Sequence, residues 1–228
     1  MNMPLGAFAN PLHWLTSPKL GKVTSVQDPQ SLSRVQVRLH APDADGEALV
    51  WARVAVPYAG DEYGAFLIPN VDTEVLVIFV GDDPAWPVVV GSLWNGATHI
   101  PETIGGAAVD RWSLTGKNGT RIAIVEQAQG QEKVEIETPN GVKATLTDAA
   151  GGSLTLTTGQ HTVTLDTQGI TLDTTSNVQV NASQVNVTAG QVSVNAAMAQ
   201  FSGVVQCSTL IATTVVGTSY TPGAGNVW

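Results

Sequence analysis

The chain has 228 residues, and its 10 Lys and Arg residues stand against 19 Asp and Glu, which gives a formal net charge of −9. This charge excludes electrostatic binding to nucleic acid or to an anionic membrane. The single cysteine, Cys207, excludes an internal disulfide framework, and no run of eighteen apolar residues predicts a transmembrane helix. The N-terminus lacks the basic start and apolar core of a signal peptide, so assembly in the cytoplasm is expected.

Residues 1–19 predict an arm rather than a domain. Pro4, Pro11 and Pro18 interrupt the segment, and Trp14 and Leu15 lie between them. Prolines this close together disfavour a long helix or a central strand. The expected structure is an extended segment or short helix that packs on another surface.

Residues 20–100 predict a small β-barrel. Short segments of alternating or β-branched residues follow one another between turns rich in Gly, Asp and Pro, at positions 21–27, 34–40, 50–58, 65–69, 74–80 and 87–94. Five or six such strands in this length fit a closed OB-like barrel. OB barrels often bind single-stranded nucleic acid, but this region holds ten acids against four bases, so no nucleic-acid partner is expected.

Residues 101–148 predict a neck of β-hairpins. Alternating strands are separated by turn signals at Asn118-Gly119, at 128–131 and at Asn140-Gly141. Asn-Gly between alternating strands is a strong hairpin signal, because both residues tolerate positive φ.

Residues 149–216 carry a repeat of apolar pairs two positions apart. Between the pairs stand mostly Thr, Ser, Asn, Gln and Gly, and from the second pair onward the step is seven or eight residues. Spacing of i, i+2 puts both side chains of a pair on one face of a strand. The pairs are Leu154/Leu156, Val163/Leu165, Ile170/Leu172, Val178/Val180, Val185/Val187 and Val192/Val194.

The repeat predicts a rod shared by three chains. Two inward residues per seven leave too thin a core for a single-chain solenoid, whereas three chains close a triangular prism around these pairs. The expected fold is therefore all-β: an OB barrel, a strand neck and an intertwined trimeric β-helix needle. Residues 217–228 are rich in Gly and end on Trp228, which predicts a tip or cap containing Tyr220 and Trp228.

The barrel region resembles the OB domain of contractile-tail spike proteins, the family of phage baseplate assembly protein V and of the type VI secretion spike core. The resemblance rests on GKVTSVQDP, SRVQVRL and the long run from WARVAVPYAG to VVVGSLWN, in which Asp72-Thr73 and Ala85-Trp86 depart from the family's usual residues. It implies a homotrimeric spike of a virion tail baseplate. Residues expected in the barrel core or facing the hub are Trp51, Val54, Phe66, Leu76, Val77, Val89 and Trp94.

The resemblance also implies partners and a role. The barrels would form a collar that plugs the tail tube at the baseplate hub, and the needle would pierce the host outer membrane when the sheath contracts. A separate tip protein at the C-terminus is a further candidate partner. The alternatives are a type VI-secretion-like spike that carries effectors, and a trimeric β-helical adhesin that binds glycans.

No cofactor and no enzymatic activity are expected. Some relatives bind iron at the tip through a His-x-His motif, but His13, His40, His99 and His161 are isolated here. Asp166 and Asp173 are seven residues apart without a basic partner, which is too little for a hydrolase or lyase site.

Overall fold

The structure is a computed structural model that describes residues 17–40 and 48–219. The predicted arm up to residue 16 and the predicted tip residues Tyr220 and Trp228 lie outside these residues. The described chain is all-β apart from two single 3-10 turns, as predicted. Within it no helix is long and apolar enough to cross a membrane.

The first part of the chain forms a closed barrel. Its strands are β1 (Lys19–Ser25), β2 (Val35–Leu39), β3 (Leu49–Val54), the short hairpin β4 (Ala59–Gly60) and β5 (Tyr63–Gly64), β6 (Glu74–Phe79) and β7 (Pro87–Leu93). Five of them close the barrel in the order β1-β2-β3-β7-β6. The pairs are antiparallel except for β3 with β7, a parallel pair that closes the barrel. A closed five-stranded barrel confirms the predicted OB fold.

The barrel core consists largely of valines at alternate strand positions. On β6, for example, Val75 and Val77 are fully buried, while Leu76 between them and Ile78 after them are half-buried. This follows from the period of two in a strand, and β-branched side chains suit its pleated surface. The buried cluster consists of Val23, Val35, Val37, Leu39, Ala52, Val75, Val77, Phe79 and Val89.

The residues predicted for the barrel occupy three environments. Val77 and Val89 belong to the buried core, and Val54 packs against it. Trp51 and Leu76 are half-buried, whereas the side chains of Phe66 and Trp94 are 80% and 68% exposed.

One predicted barrel strand does not form. Residues 65–69 have no strand pairing, and the hairpin β4–β5 precedes them instead. Gly64, with φ of +152°, ends that hairpin, and Pro69 has no N–H to donate to a ladder. Ile68 of this segment packs against the barrel core.

The second sheet is an antiparallel meander of seven consecutive strands, each paired with its neighbours in sequence. Two predicted hairpin turns are confirmed, because Gly119 and Gly141 adopt φ of +91° and +78° between paired strands. The strands are β8 (Arg111–Thr115), β9 (Arg121–Val125), β10 (Lys133–Glu137), β11 (Lys143–Thr147), β12 (Ser153–Thr158), β13 (His161–Asp166) and β14 (Gly169–Asp173).

The sheet continues across the boundary predicted between neck and needle at residues 148–149. The compact units of the chain divide after Asn177, not at that boundary. The pairs from Leu154 to Leu172, predicted as rungs wound around an axis, lie on hairpin strands bonded within one chain. From residue 174 to residue 219 the described chain forms no strand pairing with itself.

Candidate assembly surface

One face of the seven-stranded sheet is apolar except at one edge, where Thr158 and His161 lie opposite each other. Directly opposed residues of an antiparallel pair point to the same face, so the register identifies the members. Two continuous rows run across all seven strands. The first is Trp112, Ile124, Val134, Leu146, Leu154, Leu165 and Ile170; the second is Leu114, Ile122, Ile136, Ala144, Leu156, Val163 and Leu172.

These fourteen residues, called here the apolar face, are largely open in the single chain. Eleven of them are exposed, from 38% at Val134 to 76% at Ile170, and Ala144, Leu154 and Val163 are half-buried. A contiguous apolar surface across a whole sheet marks an interaction site. The face also borders a cavity that includes Ile136, Leu156 and Leu172.

Six members of the apolar face were predicted from the sequence as trimer core, from Leu154 to Leu172. The other eight were missed, although the signal is present as i, i+2 pairs such as Trp112/Leu114 and Ile122/Ile124. Their steps of 10 or 12 residues do not match the later step of seven, so they do not stand out as one repeat.

The remaining predicted trimer-core residues lie beyond the sheet. Val178, Val180, Val185, Val187, Val192 and Val194 are all exposed in the single chain, from 57% to 72%. Their place at a trimer axis stays a prediction.

The opposite face of the sheet holds a network of ion pairs around Glu135, whose side chain is only 10% exposed. Glu135 accepts from the Arg121 guanidinium at 2.8 Å and from the Lys133 ammonium at 3.0 Å, and the Lys143 ammonium lies 3.4 Å away. Burial raises the pKa of the Glu135 carboxyl, but the bonds from Lys133 and Arg121 and the charge of Lys143 outweigh it and lower the pKa to about 2. The carboxylate therefore stays charged at neutral pH.

Glu102 ties the segment between barrel and sheet to this network. Its carboxylate accepts from Arg121 Nε at 2.6 Å and from Arg111 Nη1 at 3.4 Å. The hydrogen bond from Arg121 lowers the pKa of Glu102, because it stabilises the charged form. The strand residues of this network lie on the side opposite the apolar face, and none of the fourteen members of that face is charged.

The barrel surface has its own concave site. A cavity of about 670 Å³ is lined by Arg53, Tyr58, Tyr63 and Phe66 among others. Beside it the Arg53 guanidinium lies 5.7 Å from the Trp86 ring centroid, and Arg34 lies 5.8 Å from that of Trp51. Exposed Arg, Trp and Tyr side chains are typical of protein contacts. The hub-facing role of Trp51, which is half-buried, stays a prediction.

Metal-binding geometry does not occur among the described residues. In residues 17–40 and 48–219 no group of three or more His, Cys, Asp or Glu side chains is arranged to hold an ion. His161 lies instead with its Nδ1 2.6 Å from the Thr174 hydroxyl. The expected absence of a cofactor stays a prediction.

Comparison with known proteins gives two family matches. Residues 19–94 match the type VI secretion system and phage-baseplate injector OB domain. Residues 133–200 match the phage baseplate V C-terminal trimerisation domain, which contains most of the apolar face and supports a homotrimer. The two matched regions together cover more than half of the chain.

Three similar proteins illustrate the relationship. The type VI secretion system spike proteins VgrG4b and VgrG5 of Pseudomonas aeruginosa are 32% identical over 108 residues and 33% identical over 95 residues. These alignments cover 44% and 40% of this chain but 13% and 12% of the relatives. The actin cross-linking toxin VgrG1 of Vibrio cholerae is 30% identical over 74 residues, which are 30% of this chain and 7% of that protein.

The chain thus spans only a small part of the length of the curated relatives it matches. The closed barrel lies in the region that matches the injector OB domain, and most of the sheet lies in the region that matches the trimerisation domain. With its OB domain and its trimerisation domain, the chain belongs to the phage baseplate V family of tail and injection-machine spike components.

Proposed function

We propose that this chain is the homotrimeric central spike of a contractile phage tail or phage-like injection machine. The observation that carries the proposal is the apolar face, which one copy leaves open and which overlaps the matched trimerisation domain. Three copies that bury this face against one another form a shaft with polar and charged side chains outside. The barrels sit at one end of this shaft as a collar.

The two ends of the chain then have different partners. The barrel surface with exposed Trp86, Tyr63 and Phe66 contacts the baseplate hub and plugs the tail tube. Residues 174–219 contain no Asp, Glu, Lys or Arg, so little charge must be dehydrated when this part is driven through the host outer membrane. This role needs neither catalysis nor a bound cofactor.

The first test is the size of the native particle. Light scattering on the purified full chain is expected to give three times the chain mass of 23.7 kDa, and unboiled samples should migrate as a trimer on SDS gels. Boiled samples supply the single-chain reference. A native particle with the mass of one chain would contradict the spike assignment.

A second candidate function is a type VI-secretion-like spike, and the names of the similar proteins favour it. The two machines differ in what surrounds the spike. Gold-labelled antibody against this chain is expected at the baseplate end of free sheathed particles, with or without a DNA-filled head. Labelling confined to headless sheaths anchored in a cell envelope would assign the alternative.

A further inference from the structure

Strands β8 and β9 lie between the two regions that match known families. The matched OB domain ends at residue 94 and the matched trimerisation domain begins at residue 133. Four members of the apolar face belong to these strands, and they are called here the proximal face: Trp112, Leu114, Ile122 and Ile124.

We propose that the proximal face binds a second copy of this chain, so that the trimer interface begins at Trp112 and not at the start of the matched trimerisation domain. The inference rests on the proposed homotrimer and says where its interface starts. It makes β8 and β9 part of the interface, rather than part of a neck that merely connects two domains.

The first argument is continuity. Ile124 lies directly opposite Val134, and Ile122 lies directly opposite Ile136, so both rows pass from β9 into the trimerisation domain without a break in register. Neighbouring strands are about 4.8 Å apart, so the proximal face adds about 10 Å to the apolar strip. A partner that covers the strip from β10 onward meets the same surface at β9 and β8.

The second argument is that only one side of β8 and β9 leaves large apolar side chains exposed. On the opposite side Ala123 and Val125 are 1% and 3% exposed, and Arg121 is engaged by two carboxylates. The side chains of the proximal face, in contrast, are between 48% and 63% exposed. The unsatisfied apolar surface of these strands therefore points in a single direction.

The third argument is charge. With a formal net charge of −9, two copies of the chain repel each other wherever acidic surface meets acidic surface. The proximal face has no charged member, so self-association there adds apolar burial without bringing like charges together. A second copy of the chain carries the same two apolar rows in the same register, so its surface matches this one.

The proposal is tested by cysteine accessibility in the full chain. In a Cys207→Ser background, Leu114→Cys places a thiol on the proximal face, and Thr115→Cys places one on the next residue, which points to the opposite face. Both variants are treated with a water-soluble maleimide under native conditions, after light scattering has measured their mass. Labelling at position 114 is expected to be at least tenfold slower than at position 115, and the two rates should become equal in denaturant.

The outcomes separate this inference from the proposed function. Equal labelling of both thiols in a particle of trimer mass overturns the inference and leaves the spike assignment standing. A particle with the mass of one chain overturns both, even if the thiol at 114 is protected. Should Leu114→Cys fail to fold by circular dichroism, Ile124→Cys takes its place on the proximal face and Thr115→Cys stays the control on the opposite face.

Discussion

Glu135 is the residue on which the charged side of the sheet depends. It is the common partner of Arg121, Lys133 and Lys143, which come from three neighbouring strands. Without its carboxylate, three cations would face one another in a partly buried site, and breaking such an arrangement costs more than losing an exposed ion pair.

We predict that Glu135→Gln destabilises the sheet, by roughly 1–3 kcal/mol at pH 7. The pKa of Glu135 lies at about 2 in the folded chain, below its ordinary value of 4.5. The contribution of the Glu135 carboxylate to folding stability is therefore complete above about pH 4.5 and is lost as the pH falls toward 2. Thermal unfolding at fixed chain concentration should show that the gap in midpoint temperature between wild type and variant becomes smaller as the pH falls over this interval.

Glu126→Gln is the matched control, because Glu126 is an exposed carboxylate at the end of β9 and makes no side-chain ion pair with another described residue. It should leave the thermal midpoint almost unchanged. Equal effects of the two substitutions, or a gap that persists at pH 2, would contradict the role assigned to Glu135.

Strand β7 shows at the scale of one element how alternation separates core from surface. Val89 is 1% exposed, whereas the next residue, Val90, is 41% exposed. We predict that Val89→Ala lowers the free energy of unfolding of the barrel by roughly 2 kcal/mol, because it removes two buried methyl groups and leaves a void. Urea unfolding, monitored by tryptophan fluorescence, measures this change in the free energy of unfolding.

Val90→Ala makes the same chemical change one residue away and should cost well under 1 kcal/mol. Both variants should keep the trimer mass, since the barrel core is separate from the apolar face. A larger effect of Val90→Ala than of Val89→Ala would mean that the two faces of β7 have been assigned in reverse.

The elements differ in how far the sequence predicts them. The barrel strands and the Asn-Gly hairpins are local patterns, so alternation and turn residues are sufficient to find them. Residues 65–69 show the limit: AFLIP is apolar enough for a strand, but strand formation also needs a paired edge, and Pro69 has no N–H to donate to one.

The assembly surface was predicted in part for a related reason. The pairs from Leu154 onward repeat with a nearly constant step, so their shared face is visible in the sequence. Trp112/Leu114 and Ile122/Ile124 join that face only through the register of β8 to β10, which a local pattern does not supply. The Glu135 network depends on the same register, since its partners are 14, 2 and 8 residues away in sequence.

At the scale of the whole molecule, two parts of the chain differ in how their backbone groups are hydrogen-bonded. From Arg111 to Asp173 the strands bond to one another within one chain, so each copy can build its sheet before it meets a partner. From residue 174 to residue 219 no such pairing exists, so the N–H and C=O groups of this part are open to partners on other copies. We therefore expect the copies to associate first through the sheet and then toward the C-terminus.

The distal part is here residues 174–219. This order predicts that a disruptive substitution in the distal part leaves the three chains associated through the sheet but separates their distal parts. Val185→Asp would place three like charges around one axis, where burial of a carboxylate is costly. The variant is expected to keep the trimer mass in native buffer through the apolar face of the sheet. It should lose its resistance to SDS, and protease should cut it beyond Asn177.

Asn186→Asp is the matched control, because it introduces the same charge at the next residue, whose side chain faces the other way in an extended segment. It should retain both SDS resistance and protease resistance, since its carboxylate stays in water. If the two substitutions behave alike, the distal valines do not line an axis. If Val185→Asp instead reduces the particle to single chains in native buffer, then the distal part, and not the sheet, holds the three copies together.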